Sequence, residues 1–340
     1  MHFFITGHTG FKGAWLTVLL KELGHTVSGY SLAPVQNSLY LRADIDKLMK
    51  DSFIADIRDY ENLRESLAEA NPDFVIHLAA QPLVLQSYLD PLETYTTNVD
   101  GTRNILQAVT EAANVSVTLI VTTDKVYADN GKGIFKESDP LGGHDPYSSS
   151  KAMADLMTQS WAAVNPQQKI HVARAGNVIG AYDVSKDRLL PDILQSLETG
   201  KELQIRNPDA VRPWQHVLDC LAGYLKFVQG AAKDENLPIA LNFGPDVENI
   251  KSVKDVLDEV GKDFPKLKYK IDQVSKNPRE THQLSLDSSL AMSKLSWQNK
   301  IGFEEAIGMT LAQLENSEAF SLVNSQARRY LEYGHLSWPI

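Results

Sequence analysis

Phe3-Phe4-Ile5-Thr6-Gly7-His8-Thr9-Gly10-Phe11-Lys12-Gly13 is followed at once by Ala14–Leu23, whose apolar residues recur at helical spacing. The run Phe3–Thr6 reads as a short buried strand, the three glycines as a tight turn, and the rest as a helix. A strand that turns on glycines into a helix is the first unit of an alternating β/α chain. Glycine lets the backbone approach a pyrophosphate, and the free N–H groups of the helix N-terminus hold its charge. The spacing is Gly-x-x-Gly-x-x-Gly and not Gly-x-Gly-x-x-Gly. The dinucleotide reading therefore rests on the turn's place between strand and helix more than on the pattern.

The alternation continues from there. Strands are expected at Thr26–Tyr30, Ser52–Ala55, Asp73–Leu78, Val115–Val121 and His171–Ala175, with helices at about 60–70 and 91–113 and another opening at Tyr147. The pattern predicts a Rossmann-type, doubly wound parallel sheet over residues 1–175, to which 213–245 return. From Gly176 onward the periodicity is irregular. That reads as a smaller α+β lobe, 176–212 and 246–320, carrying specificity, and 321–340 read as a C-terminal tail.

Composition narrows the function classes. The chain has 340 residues, 43% hydrophobic and 22% charged, enough for a sizeable core. Its net charge is -10, without a Lys/Arg block, which argues against a nucleic-acid partner. The one cysteine, Cys220, lies in the apolar run Val217–Leu225 and reads as a buried structural thiol, so neither a disulfide nor a zinc site is expected. No apolar run reaches membrane-spanning length and no signal-peptide pattern precedes the first strand, so a cytoplasmic protein is expected.

Ligands of an open α/β sheet bind at the carboxyl ends of its strands, and the polar residues cluster there. After the fifth strand stand Thr122-Thr123-Asp124-Lys125: hydroxyl, carboxyl and amine together. Tyr147-Ser148-Ser149-Ser150-Lys151 puts a phenol and an ammonium four residues apart, on one helix face. The cation is expected to favour the phenolate and lower the pKa of Tyr147, which would then take a proton from a sugar hydroxyl. Leu78-Ala79-Ala80 are small enough for a cofactor to lie close, while His77 reads as packed in the core. Asn98 falls inside the expected 91–113 helix and needs hydrogen bonds if buried. Asp56 is placed for an adenine amino group, and Asp59 for a helix cap. The second strand ends Tyr30-Ser31-Leu32, with no acid for the ribose hydroxyls and no Arg for a 2′-phosphate, so this rule does not choose NAD over NADP.

These strings together resemble the extended short-chain dehydrogenase/reductase superfamily. Thr6–Gly13, Leu141–Lys151, Arg174-Ala175-Gly176-Asn177-Val178-Ile179-Gly180 and Arg212-Pro213-Trp214-Gln215-His216-Val217 are similar to the CDP-glucose 4,6-dehydratase family within it, over roughly residues 3–310. Most sugar-nucleotide dehydratases carry Thr-Asp-Glu after the fifth strand; the CDP-glucose branch carries Lys in the third place, as Thr123-Asp124-Lys125 does. The resemblance implies a lyase of deoxysugar biosynthesis that oxidises C4, eliminates water across C5 and C6, and reduces C6. Tyr147 and Lys151 would serve the oxidation, Thr123 the C4 oxygen, Lys125 as a neutral amine the C5 proton, and Asp124 the departing hydroxyl. NAD would be held by Gly7, Thr9, Gly10, Phe11, Gly13, Ser31, Asp56, Ile57, Leu78, Ala79, Ala80, Asn98, Thr122, Tyr147 and Lys151. The nucleotide sugar would meet Gln81, Asn177, Arg188, Arg206, Arg212 and His216; a guanidinium fork matches pyrophosphate oxygens. A homodimer or dimer of dimers, built on the helices at 91–113 and 151–164, is implied as well. The sequence departs from the family at Ile179–Asp183, at His282-Gln283-Leu284 and at Leu311–Ser317, all in the substrate lobe.

Overall fold

The computed structural model describes residues 1–129, 131, 133–205, 207–271, 285–334 and 336–338. Seven parallel strands form its sheet: β1 (His2–Thr6), β2 (Thr26–Ser31), β3 (Asp51–Ile54), β4 (Phe74–His77), β5 (Val117–Thr123), β6 (Lys169–Ala175) and β7 (Ala240–Phe243). Their order is β7-β6-β5-β4-β1-β2-β3. The order reverses between β4 and β1, and the crevice at such a reversal is where this architecture binds ligands.

Phe3, Phe4, Ile5 and Thr6 are fully buried. Phe3 and Ile5 join the core on one face of the sheet and Phe4 joins the core on the other, as the two-residue period of a strand requires. Helices cover both faces. On the first lie α1 (Phe11–Glu22), whose Trp15, Leu16 and Leu19 are fully buried, and two helices from the later part of the chain, Val217–Lys233 and Ala319–Glu332. On the second lie α2 (Tyr60–Ala70), α3 (Gly101–Glu111) and α4 (Pro146–Val164). Asp59 caps α2 by accepting from Asn62 N, and Asp145 caps α4 by accepting from Ser148 N at 2.9 Å.

The single helix expected at 91–113 is three pieces. Pro91–Tyr95 is α-helical, Thr96–Asp100 forms a π turn, and α3 follows. The extra residue of a π turn carries no periodicity signal, and such turns favour functional sites. Here it holds Asn98.

Residues after the lobe boundary return to the sheet. Helix α5 (Val217–Lys233) buries Cys220 and leads to β7, which pairs with β6 through Leu241↔Ala173 and Asn242↔Arg174. The expected C-terminal tail is instead structure of the main body. Helix α6 (Ala319–Glu332) buries Leu322, Val323, Ala327 and Tyr330, and Arg328 bonds Glu22 of α1 at 2.7 Å. Trp338 then packs edge-on to Phe3 and His25 and tilted on Phe74. An apolar period near the chain's end was there to be read. Only the fold shows that its partner is the start of the chain.

The smaller lobe is built of short pairs. Val211–Pro213 runs antiparallel to Ile250–Ser252, and Leu203–Ile205 parallel to Tyr269–Ile271, with helices Leu189–Thr199 and Val253–Asp263 beside them. Among the described residues no helix is long and apolar enough to cross a membrane.

Candidate active site

At the end of β1 the chain turns at Gly7, whose φ is 77°. A Cβ there would sit 2.8 Å from the Ala79 nitrogen, and one at Gly13 would sit 2.2 Å from the Gly7 carbonyl oxygen. The turn therefore lies backbone against backbone on Leu78-Ala79, and only glycine leaves room for that and for a ligand. Gly10 begins α1 with no side-chain cap, so the first N–H groups of α1 have no side-chain acceptor. Thr9 Oγ1 bonds Ser31 Oγ at 2.7 Å and donates to Leu32 O at 2.9 Å, which ties the turn to the end of β2. Asp56 receives the Arg58 guanidinium, and those bonds hold its carboxyl below the usual range. Ile57 is buried, and its carbonyl accepts from Asn104 Nδ2 at 3.0 Å. Gly7–Gly13, Ser31, Asp56-Ile57 and Leu78–Ala80 thus line the carboxyl ends of β1, β2, β3 and β4. A Cβ-free cradle over uncapped amides fits the pyrophosphate of a dinucleotide.

His77 is in the core, its Nδ1 2.7 Å from Thr6 Oγ1, and burial lowers its pKa to about 3. Beside it β5 ends in the polar cluster. Thr123 Oγ1 donates to Asp124 Oδ1 at 2.9 Å, and Thr123 lies near enough to the Tyr147 phenol to lower its pKa. Asp124 is buried against Gly176, where a Cβ would come within 3.1 Å of its Oδ2, and Lys125 is half-buried. Gly143 lies so close to Ser148 that a Cβ would meet the Ser148 carbonyl carbon at 2.4 Å; the Gly142-Gly143 turn brings α4 in over β5.

The expectation that Lys151 acidifies Tyr147 does not hold in this structure. Burial pushes the Tyr147 phenol up to about 12, with the Thr123 hydrogen bond and the Arg188 charge acting against it. Lys151 Nζ donates instead to Val121 O at 3.1 Å. Burial, then the charge of Lys12, lowers Lys151 to about 8. The site therefore holds a phenol, not a phenolate, at neutral pH.

Asn98 accepts from Gln81 N at 2.9 Å and donates to Gln81 O and to Ser150 Oγ. It pins the segment after β4 to α4, a side chain holding backbone. Gln81, expected at the substrate, bonds Thr94 Oγ1 at 2.8 Å and Leu83 N and O. These local bonds use both ends of its amide and shape the segment.

In the lobe, Asn177 is exposed just past β6. Arg188 is half-buried and donates to buried Asp183 at 3.3 Å, close enough to Tyr147 to act on its phenol. Arg212 stands before Pro213, which lies against Gly176, and its Nη1 donates to Val211 O. His216 corrects another expectation: it is fully buried, edge-on to Trp15, and caps α5 through Leu218 N at 3.2 Å. Arg206 and His282-Gln283-Leu284 lie outside the described residues. Thr122 was read as a cofactor contact, yet its hydroxyl donates to Asp155 Oδ2 at 2.9 Å, away from the glycine cradle.

Several residues near the site went unnoticed in the sequence. Lys12 Nζ reaches Tyr224 OH at 3.1 Å, joining the glycine turn to α5. Asp155 and Arg174 form a buried ion pair behind Thr122. Asp183 holds Arg188. Asp155 follows Lys151 by one helical turn, which was a usable signal; the other partners are brought in by tertiary contacts.

A protein-family model described as GDP-mannose 4,6 dehydratase matches residues 4–310. The chain is 43% identical over 325 residues, 90% of this chain and 88% of the relative, to the CDP-glucose 4,6-dehydratase of Salmonella typhimurium. Among solved structures, the dTDP-glucose 4,6-dehydratase of Bacillus anthracis in complex with NAD superposes with a TM-score of 0.77 at 22% identity, covering 95% of this chain and 99% of that one. The UDP-glucose 4-epimerase of Bifidobacterium longum, in complex with NAD+ and UDP, gives a TM-score of 0.79 at 23% identity over 94% and 100%. These two likenesses establish the fold.

Proposed function

Since the chain belongs to the GDP-mannose 4,6 dehydratase family, we propose that it is a hydro-lyase that converts CDP-glucose to CDP-4-dehydro-6-deoxyglucose and water. The observation that carries this is the cluster at the end of β5, where Thr123 is hydrogen-bonded to Asp124 and lies near enough to Tyr147 to act on its phenol, and Lys125 is next in the chain. An epimerase needs no acid–base pair for C5 and C6; a dehydratase does. The similarity to a curated CDP-glucose enzyme supports the choice of nucleotide sugar.

The cofactor is NAD, held by Gly7–Gly13, Ser31, Asp56-Ile57, Leu78–Ala80, Tyr147 and Lys151; when bound it accepts the hydrogen and electron pair of C4 and returns them at C6. The residues of the chain handle protons. Tyr147 takes the proton of the C4 hydroxyl while its own passes to the neighbouring Thr123 Oγ1 and on, through the Thr123–Asp124 hydrogen bond, to Asp124. The resulting ketone acidifies C5. Lys125 Nζ removes the C5 proton, and Asp124 gives its proton to the departing C6 hydroxyl. Lys125 later reprotonates C5. The balance closes: the proton from O4 leaves in the water, and C5 ends with one hydrogen, as it began. Arg188 and Arg212 would take the pyrophosphate, with Asn177 at the sugar.

A homodimer is part of the same proposal. Leu92 (72% exposed), Leu89 (80%), Met153 (48%) and Leu156 (52%) project from Val84–Leu89, Pro91–Tyr95 and α4, an apolar set unusual for an isolated surface. A cytoplasmic setting is proposed with it, where nucleotide sugars are made and used.

The test is to incubate the purified protein with CDP-glucose and follow the alkali-induced absorbance of a 4-keto-6-deoxy sugar, with and without added NAD. Signal without added NAD is expected, because a cofactor that ends each turn oxidised stays bound. Signal only with another nucleotide-glucose would move the substrate, and no signal with any would overturn the dehydratase reading.

A further inference from the structure

Helix α4 is fastened to β5 at two successive residues. Lys151 Nζ donates to Val121 O at 3.1 Å, and Asp155 Oδ2 accepts from Thr122 Oγ1 at 2.9 Å. Lys151 and Asp155 are four residues apart and share a helix face. From β6 comes Arg174, the register partner of Thr122. Its Nε and Nη2 donate to the two oxygens of Asp155 at 2.8 and 2.9 Å, and Gln159 Nε2 adds a third donor at 2.7 Å. The Arg174 and Asp155 side chains are 2% and 0% exposed. Nη1 of Arg174 reaches Tyr127 OH at 2.9 Å and Glu137 O at 3.3 Å, and Tyr127 OH donates to Asn242 of β7 at 2.7 Å. One ion pair thus joins the strand that ends in Thr123, the helix that carries Tyr147 and Lys151, and the segment between them.

A buried ion pair adds little net stability over apolar packing of the same volume, so stability alone does not account for this one. We propose that Asp155, gripped by Arg174, is a positioning residue of the reaction: it fixes the end of β5 against α4 and supplies the counter-charge of the Lys151 ammonium. Lys12 from the glycine turn and His77 from β4 also lie near Lys151, and Tyr147 stands one turn earlier on α4. Burial keeps His77 and Tyr147 uncharged at neutral pH, and Lys12 repels. Asp155 is the acid among them. The consequence for turnover rests on the dehydratase reading; the charge argument does not.

The experiment follows the Lys151 side chain in the full-length protein by NMR of lysine labelled with ¹³C at Cε, assigned with Lys151→Met. Asp155→Asn leaves the Arg174 charge unbalanced, and the Lys151 midpoint should fall by about one pH unit. Asp155→Glu should leave it in place. Asp155→Asn combined with Arg174→Met removes both charges and should bring the midpoint back towards wild type. An unmoved midpoint in Asp155→Asn, or a double variant as low as the single one, overturns the counter-charge. Should Asp155→Asn not fold, Arg174→Gln decides: the freed carboxylate must raise the midpoint, and no rise overturns it. Thr122→Val cuts the grip on β5 without changing charge. It should leave the midpoint unmoved and lower kcat about tenfold at constant KM; an unchanged kcat overturns the positioning role. If the wild type turns over no nucleotide sugar, the functional reading falls, while the titrations still decide the counter-charge.

Discussion

Lys125 is the residue on which the choice of reaction turns. Lys125→Ala should retain NAD through gel filtration and lose water release by about 10²–10⁴-fold; elimination at the wild-type rate would remove the base from Lys125. Tyr147→Phe should lose turnover by a similar factor, because its phenol adjoins Thr123 and, in the proposed mechanism, starts the proton path to Asp124. Gly13 makes a different demand. A methyl at Gly13 would stand 2.2 Å from the Gly7 carbonyl oxygen and 2.6 Å from the His8 Cα. Gly13→Ala is expected to cost about 1–3 kcal/mol in urea unfolding and to strip the bound cofactor; a stable variant that keeps NAD would mean that the turn opens easily. The glycines, Tyr147 and Thr123-Asp124-Lys125 were all legible, because each carries its chemistry within a few consecutive residues. Asp155, Arg174 and Asp183 were not, because a buried charge declares itself only through a partner distant in sequence.

Elements show the same division. Strand positions were readable from continuous apolar runs, and α2 from its cap and period, whereas the π turn at Thr96–Asp100 was invisible because its residues continue a helical composition. Helix α6 gives the clearest test at this scale. Asp219 of α5 accepts from Lys300 N and Ile301 N and from Tyr330 OH of α6 at 2.8 Å. Burial raises its pKa to about 6 from an ordinary 3.8. Such a group stabilises the fold most fully below its unfolded pKa, and that contribution is lost as pH rises through the folded value. Unfolding free energies of wild type and Asp219→Asn, compared from pH 4 to pH 7, should therefore shift in favour of the variant as pH rises. A difference constant across that window would mean that the hydrogen bonds outweigh the burial.

For the whole molecule, the exposed apolar set on Val84–Leu89, Pro91–Tyr95 and α4 predicts self-association. Sedimentation velocity should show a dimer, and Leu156→Glu should convert it to monomer by placing a charge where the partner would cover it. A wild-type monomer at micromolar concentration would remove the dimer from the proposal. Sequence and structure diverge most outside the parallel-strand pattern: His216, read as a substrate contact, is a cap inside the core, and the expected tail packs against the first strand.

The sequence by itself determined the parallel sheet, the glycine cradle and the polar cluster at the end of β5. Strand period, helix period and phosphate-binding turns are set by neighbours along the chain, so short stretches suffice to specify them. Only the tertiary structure decided which polar side chains are engaged in holding the frame. Gln81, Thr122 and His216 have the right chemistry for a site, but hydrogen bonds to Thr94, Asp155 and Leu218 use it elsewhere. The charge states were decided there too: burial, which no residue carries in its own identity, leaves Tyr147 a phenol and lowers Lys151.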